Sequence, residues 1–325
     1  MTKKLNVAIL AGGDSPEFDV SVKSGAFVES VLDREKYNIF CIKVKGRRWW
    51  VNHNGVECDV DKNDFAVTLD GVRTGFDYAL IMIHGTPGEN GLLQSYFEMM
   101  RIPYSTCPPT SSAVTFDKIL TKRALAGYDI PMARDVRITR GSTYDPRDIA
   151  DKLSLPLFVK AATSGSSFGV VKVKSADHLG EAIDSVLGQS CDLLVEEFIG
   201  GTEISCGIMR YKGDYILFPP TEIVPEGEFF DYDAKYNGKS SEITPARISE
   251  QALQSLYASM KTIYEALNMR ALVRMDFIVR DHTPYFIEVN TVPGMSPASL
   301  IPQQARAMGL EPGKLFDMII EETLQ

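Results

Sequence analysis

Cysteine and histidine are scarce in this chain of 325 residues, which has five of one and four of the other. Cys41, Cys58, Cys107, Cys191 and Cys206 are scattered, odd in number and without a CxxC pair, which argues against both a disulfide framework and a zinc site. His53, His84, His178 and His282 are equally dispersed. Positive charge is not in excess. Thirty-four Lys and Arg face 43 Asp and Glu, a net charge of −9, and a nucleic-acid surface would need a basic patch. A few local lysines are still enough to hold an anionic small molecule. No apolar run approaches the roughly 18 residues of a membrane span. The opening MTKKLNVAILAGG has neither the long apolar region nor the cleavage site of a signal peptide, so the expected location is the cytoplasm. Repeats, low-complexity tracts and charge runs are missing. So are the Walker A motif and a GxGxxG before a helix.

What is present is ordinary for a soluble globular protein: 44% hydrophobic and 24% charged residues, in a length that suits two or three domains. The first third reads as alternating elements, with strands over Asn6–Ala11, Tyr37–Val44 and Tyr78–Ile83 and helices over Val20–Leu32 and Leu92–Met100. That alternation implies a parallel, layered α/β domain. The middle third predicts a helix around Phe116–Ala126 and strands Leu157–Ala161 and Val170–Lys174, joined as an antiparallel hairpin by a Ser/Gly loop. A helix near Ala176–Leu187 and a strand Leu193–Phe198 follow. In the last third Ser249 is a good N-cap for an amphipathic helix through Leu267. Ala271–Val279 and Tyr285–Asn290 form a strand pair, and Pro312–Leu324 is a closing helix. Between Pro219 and Pro245 lies a long polar and aromatic segment, of the kind that serves as a lid or binding loop.

The residues with chemistry cluster in a few places. The strand FIEVN ends with Glu288 and Asn290, which alternation puts on one face. Asp276 interrupts the apolar run ALVRMDFIV, where a carboxylate is costly to bury unless it is paired or bound to a cation. If the two strands are neighbours, Asp276, Glu288 and Asn290 offer three hard oxygen ligands suited to Mg²⁺; a surface acidic face is the other reading. Arg274 shares a strand face with Asp276, as a structural ion pair or as a cation for a developing oxyanion, and the Pro293-Gly294 turn offers a backbone N–H for the same charge. The loop TSGSSFG after Lys160 is either a plain hairpin turn or a close-approach phosphate cradle. Lys118 and Lys160 are solvated lysines unless they converge on one site. Glu17 is either a first-turn acid favoured by the helix dipole or a partner for a substrate ammonium. His84 closes a strand in HGTPGENG, where ligands bind in open α/β sheets; a structural histidine stays open. Trp49, Trp50 and the cysteines read as packing residues.

Together these stretches resemble the D-alanine–D-alanine ligase family of the ATP-grasp superfamily, almost end to end. The matching pieces are AGGDSPEFDVS, HGTPGENG, FDKILTKR, FVKAATSGSSFGVVKV, VEEFIGGTE, FFDYDAKYNGKSSEITPA, VRMDF and IEVNTVPGMSPASLIP, in the family's order. The resemblance implies an ATP-grasp fold, α/β and α+β: an N-terminal parallel α/β domain over 1–117, then two α+β subdomains clasping ATP, over 118–203 and 204–325, with a lid over 220–244.

Roles follow residue by residue. The resemblance makes Lys118 and Lys160 phosphate-contacting lysines, Glu196, Glu197, Phe198 and Ile199 the adenine hinge, and Glu203 the ribose acid. Asp276, Glu288 and Asn290 become ligands of two Mg²⁺ ions, with Mn²⁺ as an alternative. Glu17 receives the first D-alanine's ammonium, and Ser166 and Tyr236 join that pocket to the lid, which carries Lys235. His84 belongs to the substrate site, Arg274 and the Gly294 N–H stabilise an oxyanion, and Ser299 and the Leu300 N–H cradle the second substrate's carboxylate. Asn90 stands where the family commonly has aspartate, and Ala161 where it commonly has proline; both bear on loop rigidity. Tyr236 favours an amino-acid acceptor, which implies a dipeptide product.

The implied activity is ATP-driven ligation of two D-alanines for peptidoglycan precursor synthesis, by a cytoplasmic homodimer with no nucleic-acid or membrane partner. Three alternatives remain on the sequence alone: an ATP-grasp ligase for other amino acids, a nucleotide-binding regulator without catalysis, and a dinucleotide-binding oxidoreductase suggested by VAILAGG.

Overall fold

The computed structural model describes residues 4–163, 169–188, 190, 192–225 and 240–324, and arranges them around three sheets. In the first, Leu5–Gly12 runs parallel between Tyr37–Lys45 and Tyr78–Ile81. Both faces of Leu5–Gly12 are covered. Val7 and Ile9 enter one core, and Ala8 and Leu10 the opposite one, which explains why the strand reads as a continuous apolar run. The helix Phe18–Val31 follows it, and the helix Pro312–Thr323 packs on the same sheet through Leu315, Phe316, Ile319 and Ile320. That closing helix is fixed by Tyr37 Oη donating to Asp317 at 3.0 Å and by the Lys36–Asp317 pair at 2.5 Å.

The alternation expected of the first third fails between Arg48 and Gly75. No helix stands there; four short antiparallel strands, Arg48–His53, Val56–Asp61, Ala66–Leu69 and Val72–Gly75, extend the sheet as a meander. Trp49, Val51, Val60, Val67 and Leu69 point inward and polar neighbours point out, the period-2 pattern of a half-buried antiparallel sheet.

The second sheet is antiparallel throughout, in the order Val170–Val173, Leu157–Ala161, Asp192–Glu197, Asp135–Thr139, and includes the expected hairpin. Leu157, Val159 and Ala161 face the helices Pro146–Leu153 and Leu179–Leu187. Phe158 and Lys160 therefore face the other way. The helix expected around Phe116–Ala126 is present as Lys118–Leu125, and a second helix that was not expected, Pro109–Phe116, runs directly into it. They meet at Asp117, whose Oδ1 accepts from the N–H of Ile119 at 2.8 Å and of Leu120 at 3.0 Å, an N-cap inside the apolar periodicity.

The third sheet carries Ser240–Ile243, Thr221–Pro225, Thr202–Tyr211, Val273–Arg280 and Thr283–Asn290, with Asp214–Leu217 paired to the long central strand. The ends of the segment expected as a loop from Pro219 to Pro245 are thus a strand pair, and 226–239 lie outside the described residues. Helix Glu250–Ala266 starts at Ser249, whose Oγ accepts from the Ala252 N–H at 3.2 Å. It buries Leu256, Met260 and Ile263 against Ile204, Cys206, Ile208, Met275 and Phe277. Alternation then dictates that Ser205, Arg274 and Asp276 occupy the opposite face. Among the described residues no helix is long and apolar enough to cross a membrane.

Candidate active site

That opposite face is polar across three strands. Ser205 pairs with Asp276, Asp276 with Glu288, and Arg274 with Asn290, so all five side chains stand on one side of the sheet. Register slips by one residue after Asp276, a bulge that leaves Ile287 without a direct partner and keeps Glu288 and Asn290 on the polar side while Phe286 and Val289 enter the core. Asp276 is buried and fully engaged. Oδ1 accepts from Ser205 Oγ at 2.6 Å and Arg274 Nε at 3.0 Å; Oδ2 accepts from Arg274 Nη2 at 2.9 Å and Asn290 Nδ2 at 3.3 Å. Lys118 Nζ approaches Glu288 at 3.4 Å. Among the described residues no three or more His, Cys, Asp or Glu gather as a metal cluster. The oxygen set here is two carboxylates and one amide, a donor chemistry that fits a hard cation keeping further ligands from phosphate and water.

Of the expected phosphate lysines, Lys118 reaches this face from the start of a helix, and Lys160 stands on the second sheet beside Glu196. The backbone N–H of Lys118 donates to Ala162 O at 3.0 Å, which ties the start of its helix to the end of the Lys160 strand. Lys160 Nζ donates to Glu196 Oε2 at 2.7 Å, and Lys122 Nζ donates to Glu196 Oε1 at 2.8 Å. Burial pushes the Glu196 carboxyl up, but the two ammonium groups outweigh it and hold it down at about 2. Lys122 is a charge partner that sequence reading missed, although it stands one helical turn after Lys118. The next hinge residue, Glu197, accepts from Arg134 at both its backbone N–H, 2.8 Å, and Nε, 2.7 Å. Phe198 is exposed, tilted against Phe158 with ring centroids 6.1 Å apart, and Lys172 Nζ lies 4.7 Å over its ring. Ile199 follows, and Glu203 lies on the central strand of the third sheet, two residues from Ser205 on the same face.

Glu17 and His84 are both buried, at the end of the first sheet. His84 Nδ1 lies 2.8 Å from the Val292 carbonyl, which only accepts, so Nδ1 carries a proton. Burial lowers the imidazole's pKa, against the pull of Glu17, and the ring is neutral; Ser24 Oγ at 3.4 Å then donates to Nε2. Ser24 Oγ in turn accepts from the Met295 N–H at 3.2 Å. His84 and Ser24 thereby hold the 292–295 turn that contains Gly294. Glu89 is a buried carboxyl that no sequence signal marked. Burial and then Glu17 raise it to about 7, against the N–H groups of Gly85 and Val292, which it accepts at 2.6 and 3.4 Å. The HGTPGENG turn needs glycine at 88, because a Cβ there would stand 2.0 Å from Ile83 O.

Ser299 is the N-cap of the helix Leu300–Ala307, so the Leu300 N–H belongs to its open first turn. Ser299 Oγ lies 2.8 Å from Ser296 Oγ, and a Cβ added to Gly294 would stand 3.0 Å from it, so Gly294 and Ser299 are neighbours. The structure therefore gathers Arg274, Asp276, Glu288, Asn290 and Lys118, sets His84 against the turn bearing Gly294 with the Glu17 charge acting on it, and places Lys160 in contact with Glu196. Ser166, Lys235 and Tyr236 lie outside the described residues.

Residues 6–107 match the family model described as D-ala D-ala ligase N-terminus, and residues 125–321 the one described as D-ala D-ala ligase C-terminus. The chain belongs to the D-alanine–D-alanine ligase family. A curated D-alanine–D-alanine ligase of Porphyromonas gingivalis is 44% identical over 325 residues, covering 99% of this chain and 98% of the relative. Among solved structures, D-alanyl-alanine synthetase A of Vibrio cholerae superposes with a TM-score of 0.89 at 27% identity, covering 100% of this chain and 99% of that one. The Bacillus anthracis D-alanine–D-alanine ligase complexed with ATP superposes with a TM-score of 0.80 at 29% identity, covering 98% and 97%. As a family member the chain has the ATP-grasp fold, mixed α/β, and is an ATP-dependent, ADP-forming ligase.

Proposed function

We propose that this ligase joins two D-alanines into D-alanyl-D-alanine through an acyl phosphate, supplying the dipeptide for peptidoglycan. The polar face on the third sheet carries the reading: Asp276 and Glu288 opposed, flanked by Arg274 and Asn290, with Lys118 reaching in. Full-length similarity to curated ligases of that name supports the same substrates. The proposed segments are 1–117, 118–203 and 204–325 with a lid over 220–244, in a cytoplasmic homodimer.

ATP lies between the second and third sheets, its adenine at Glu196–Ile199, its ribose at Glu203 and its phosphates at Lys118 and Lys160. Asp276, Glu288 and Asn290 would hold Mg²⁺, as two ions, which neutralises phosphate charge when bound. Glu17 takes the ammonium of the first D-alanine, with neutral His84 beside it. The carboxylate of that D-alanine attacks the γ-phosphorus, the bond to the bridging oxygen breaks, and ADP leaves. The second D-alanine's carboxylate sits on Ser299 and the Leu300 N–H at a helix N-terminus, where anions are favoured. Its neutral amine attacks the acyl carbon, and Arg274 with the Gly294 N–H stabilises the oxyanion. Collapse breaks the bond from the acyl carbon to the phosphate oxygen, and the expelled inorganic phosphate takes the proton that the amine nitrogen gives up. Lys235, Tyr236 and Ser166 belong to the lid side of the pocket, where exclusion of water protects the acyl phosphate.

The test is incubation with ATP, Mg²⁺ and D-alanine. Equal amounts of phosphate and a product with the mass of D-alanyl-D-alanine support the assignment. Phosphate release without dipeptide refutes it.

A further inference from the structure

The strand Ser240–Ile243 carries a carboxylate on the site face that the mechanism does not use. Glu242 pairs with Ile223, and Ile223 with Glu203, so Glu242 stands in the same row as the residues facing ATP. Burial pushes its carboxyl up, opposed by a hydrogen bond from Gln303 and by the charge of Arg274. Gln303 lies in the first turn and a half of the helix Leu300–Ala307, and both Nε2 protons are used: one goes to Glu242 Oε2 at 2.5 Å, the other to Ala298 O at 2.7 Å. The Gln303 backbone N–H donates to Ser299 O at 3.2 Å. One side chain thus grips the turn immediately before the helix and ties it to the third sheet's edge strand.

We propose that Glu242, acting through Gln303, is a positioning residue for the second substrate: it orients the Ala298–Leu300 turn that receives the acceptor's carboxylate. The inference rests on the ligase reading above.

Neighbouring contacts make the role local. The body of the helix is anchored separately by Gln304, whose Nε2 donates to Ser205 O at 2.9 Å and to Thr221 Oγ1 at 3.0 Å, and whose Oε1 accepts from the Gly207 N–H at 3.0 Å. The strand pair carrying Glu242 is held by Arg247 Nη2 and Nε on Glu222 at 2.7 and 2.8 Å, and by the Thr221–Thr244 hydroxyl pair at 2.6 Å. Breaking the Glu242–Gln303 bond therefore leaves helix and strand in place and removes only the tie between the 298–300 turn and the edge strand, while Ser299 keeps its bonds to Ser296. A carboxylate cradle built from one hydroxyl and one N–H depends on the orientation of both, so the acceptor step should register the change.

The experiment is steady-state kinetics on the full chain with ATP and D-alanine, resolving the Michaelis constants of the two D-alanines, for wild type, Gln303→Met, Glu242→Leu and Glu242→Gln. Gln303→Met and Glu242→Leu should each raise the second D-alanine's KM about tenfold, the effect of one hydrogen bond to a charged group, with ATP's KM and the melting temperature unchanged. The double variant should go no further than either single one. Glu242→Gln keeps an oxygen acceptor for Gln303 and should restore KM to within about twofold, on the same hydrogen-bond scale. An unchanged second KM in both disrupting variants overturns the proposal, as does an equal rise in ATP's KM. A Glu242→Gln defect as large as Glu242→Leu also overturns it, since charge and not the hydrogen bond would then be responsible. Wild type failing to form dipeptide would instead refute the ligase reading.

Discussion

Asp276 and Glu288 face each other across two adjoining antiparallel strands. Like charges directly opposed on a sheet repel. Here each has its own cation, Arg274 on Asp276 at 2.9 Å and Lys118 near Glu288 at 3.4 Å. A strand pair that keeps two facing carboxylates, surrounds them with positive groups and adds an amide is built for a ligand of high charge rather than for stability.

Ser205 is the neutral partner in this set, donating to Asp276 Oδ1 at 2.6 Å. Groups that orient a metal-binding carboxylate affect affinity by about 10–100-fold. Ser205→Ala should raise the Mg²⁺ concentration for half-maximal activity by about tenfold, on that scale. The saturating rate should change little. A Mg²⁺ titration of initial rate measures both.

Arg274→Ala removes two hydrogen bonds to Asp276, so it is compared at saturating Mg²⁺, where it should leave the ATP dissociation constant within a few-fold, since the lysines and hinge are untouched. Ligation should fall by about 10²–10³, the usual loss for one oxyanion donor. Calorimetric ATP binding alongside dipeptide formation separates the two effects, and equal losses in both would contradict the role given to Arg274.

Glu196 sits between Lys122 and Lys160 at 2.8 and 2.7 Å. Removing its charge with Glu196→Gln takes the carboxylate partner from Lys160 and leaves Lys122 with Asp135 alone, at 2.7 Å; breaking a buried pair of this kind costs up to about 3–5 kcal/mol. The folded carboxyl, held near 2, lies below its ordinary 4.5. Its stabilisation is therefore complete above about pH 4.5 and is lost as pH falls toward 2. Denaturant melts below pH 5 should show wild type losing stability more steeply than Glu196→Gln.

Glu89 has the opposite sign. Its folded carboxyl, raised to about 7, binds a proton through a range in which the unfolded chain has released it. Its contribution to stability therefore falls as pH rises from about 4.5 through 7. Glu89→Gln, which keeps an acceptor for the Gly85 N–H, should flatten that fall. Urea midpoints across pH 5–8 for the two proteins give the comparison.

The most legible part of the site was the part where chemistry conflicts with local pattern. Asp276 interrupts an apolar strand, and Glu288 and Asn290 recur at the strand period, so their shared face followed from alternation alone. The Arg48–Gly75 meander was not legible, because its strands are four to six residues long and half exposed, which blurs period 2. The helix Pro109–Phe116 was missed, and Asp117 separates it from the next helix through a cap that apolar spacing does not register. Glu89, Lys122 and the Glu242–Gln303 bond depend on burial or on contacts between distant segments, and nothing local in the sequence encodes either. The docking of the closing helix on the first sheet is of the same kind, with Tyr37 and Asp317 separated by 280 residues.

The most direct measurement follows the oxygen atoms. D-alanine labelled with heavy oxygen in its carboxyl group is turned over with unlabelled ATP and Mg²⁺ in unlabelled water, and the released phosphate is weighed by mass spectrometry. Attack of the first D-alanine's carboxylate on the γ-phosphorus, followed by amine attack on the acyl carbon, transfers one labelled oxygen into every phosphate formed. Phosphate that leaves without label, its new oxygen drawn from water, would contradict the acyl-phosphate ligation proposed for this chain.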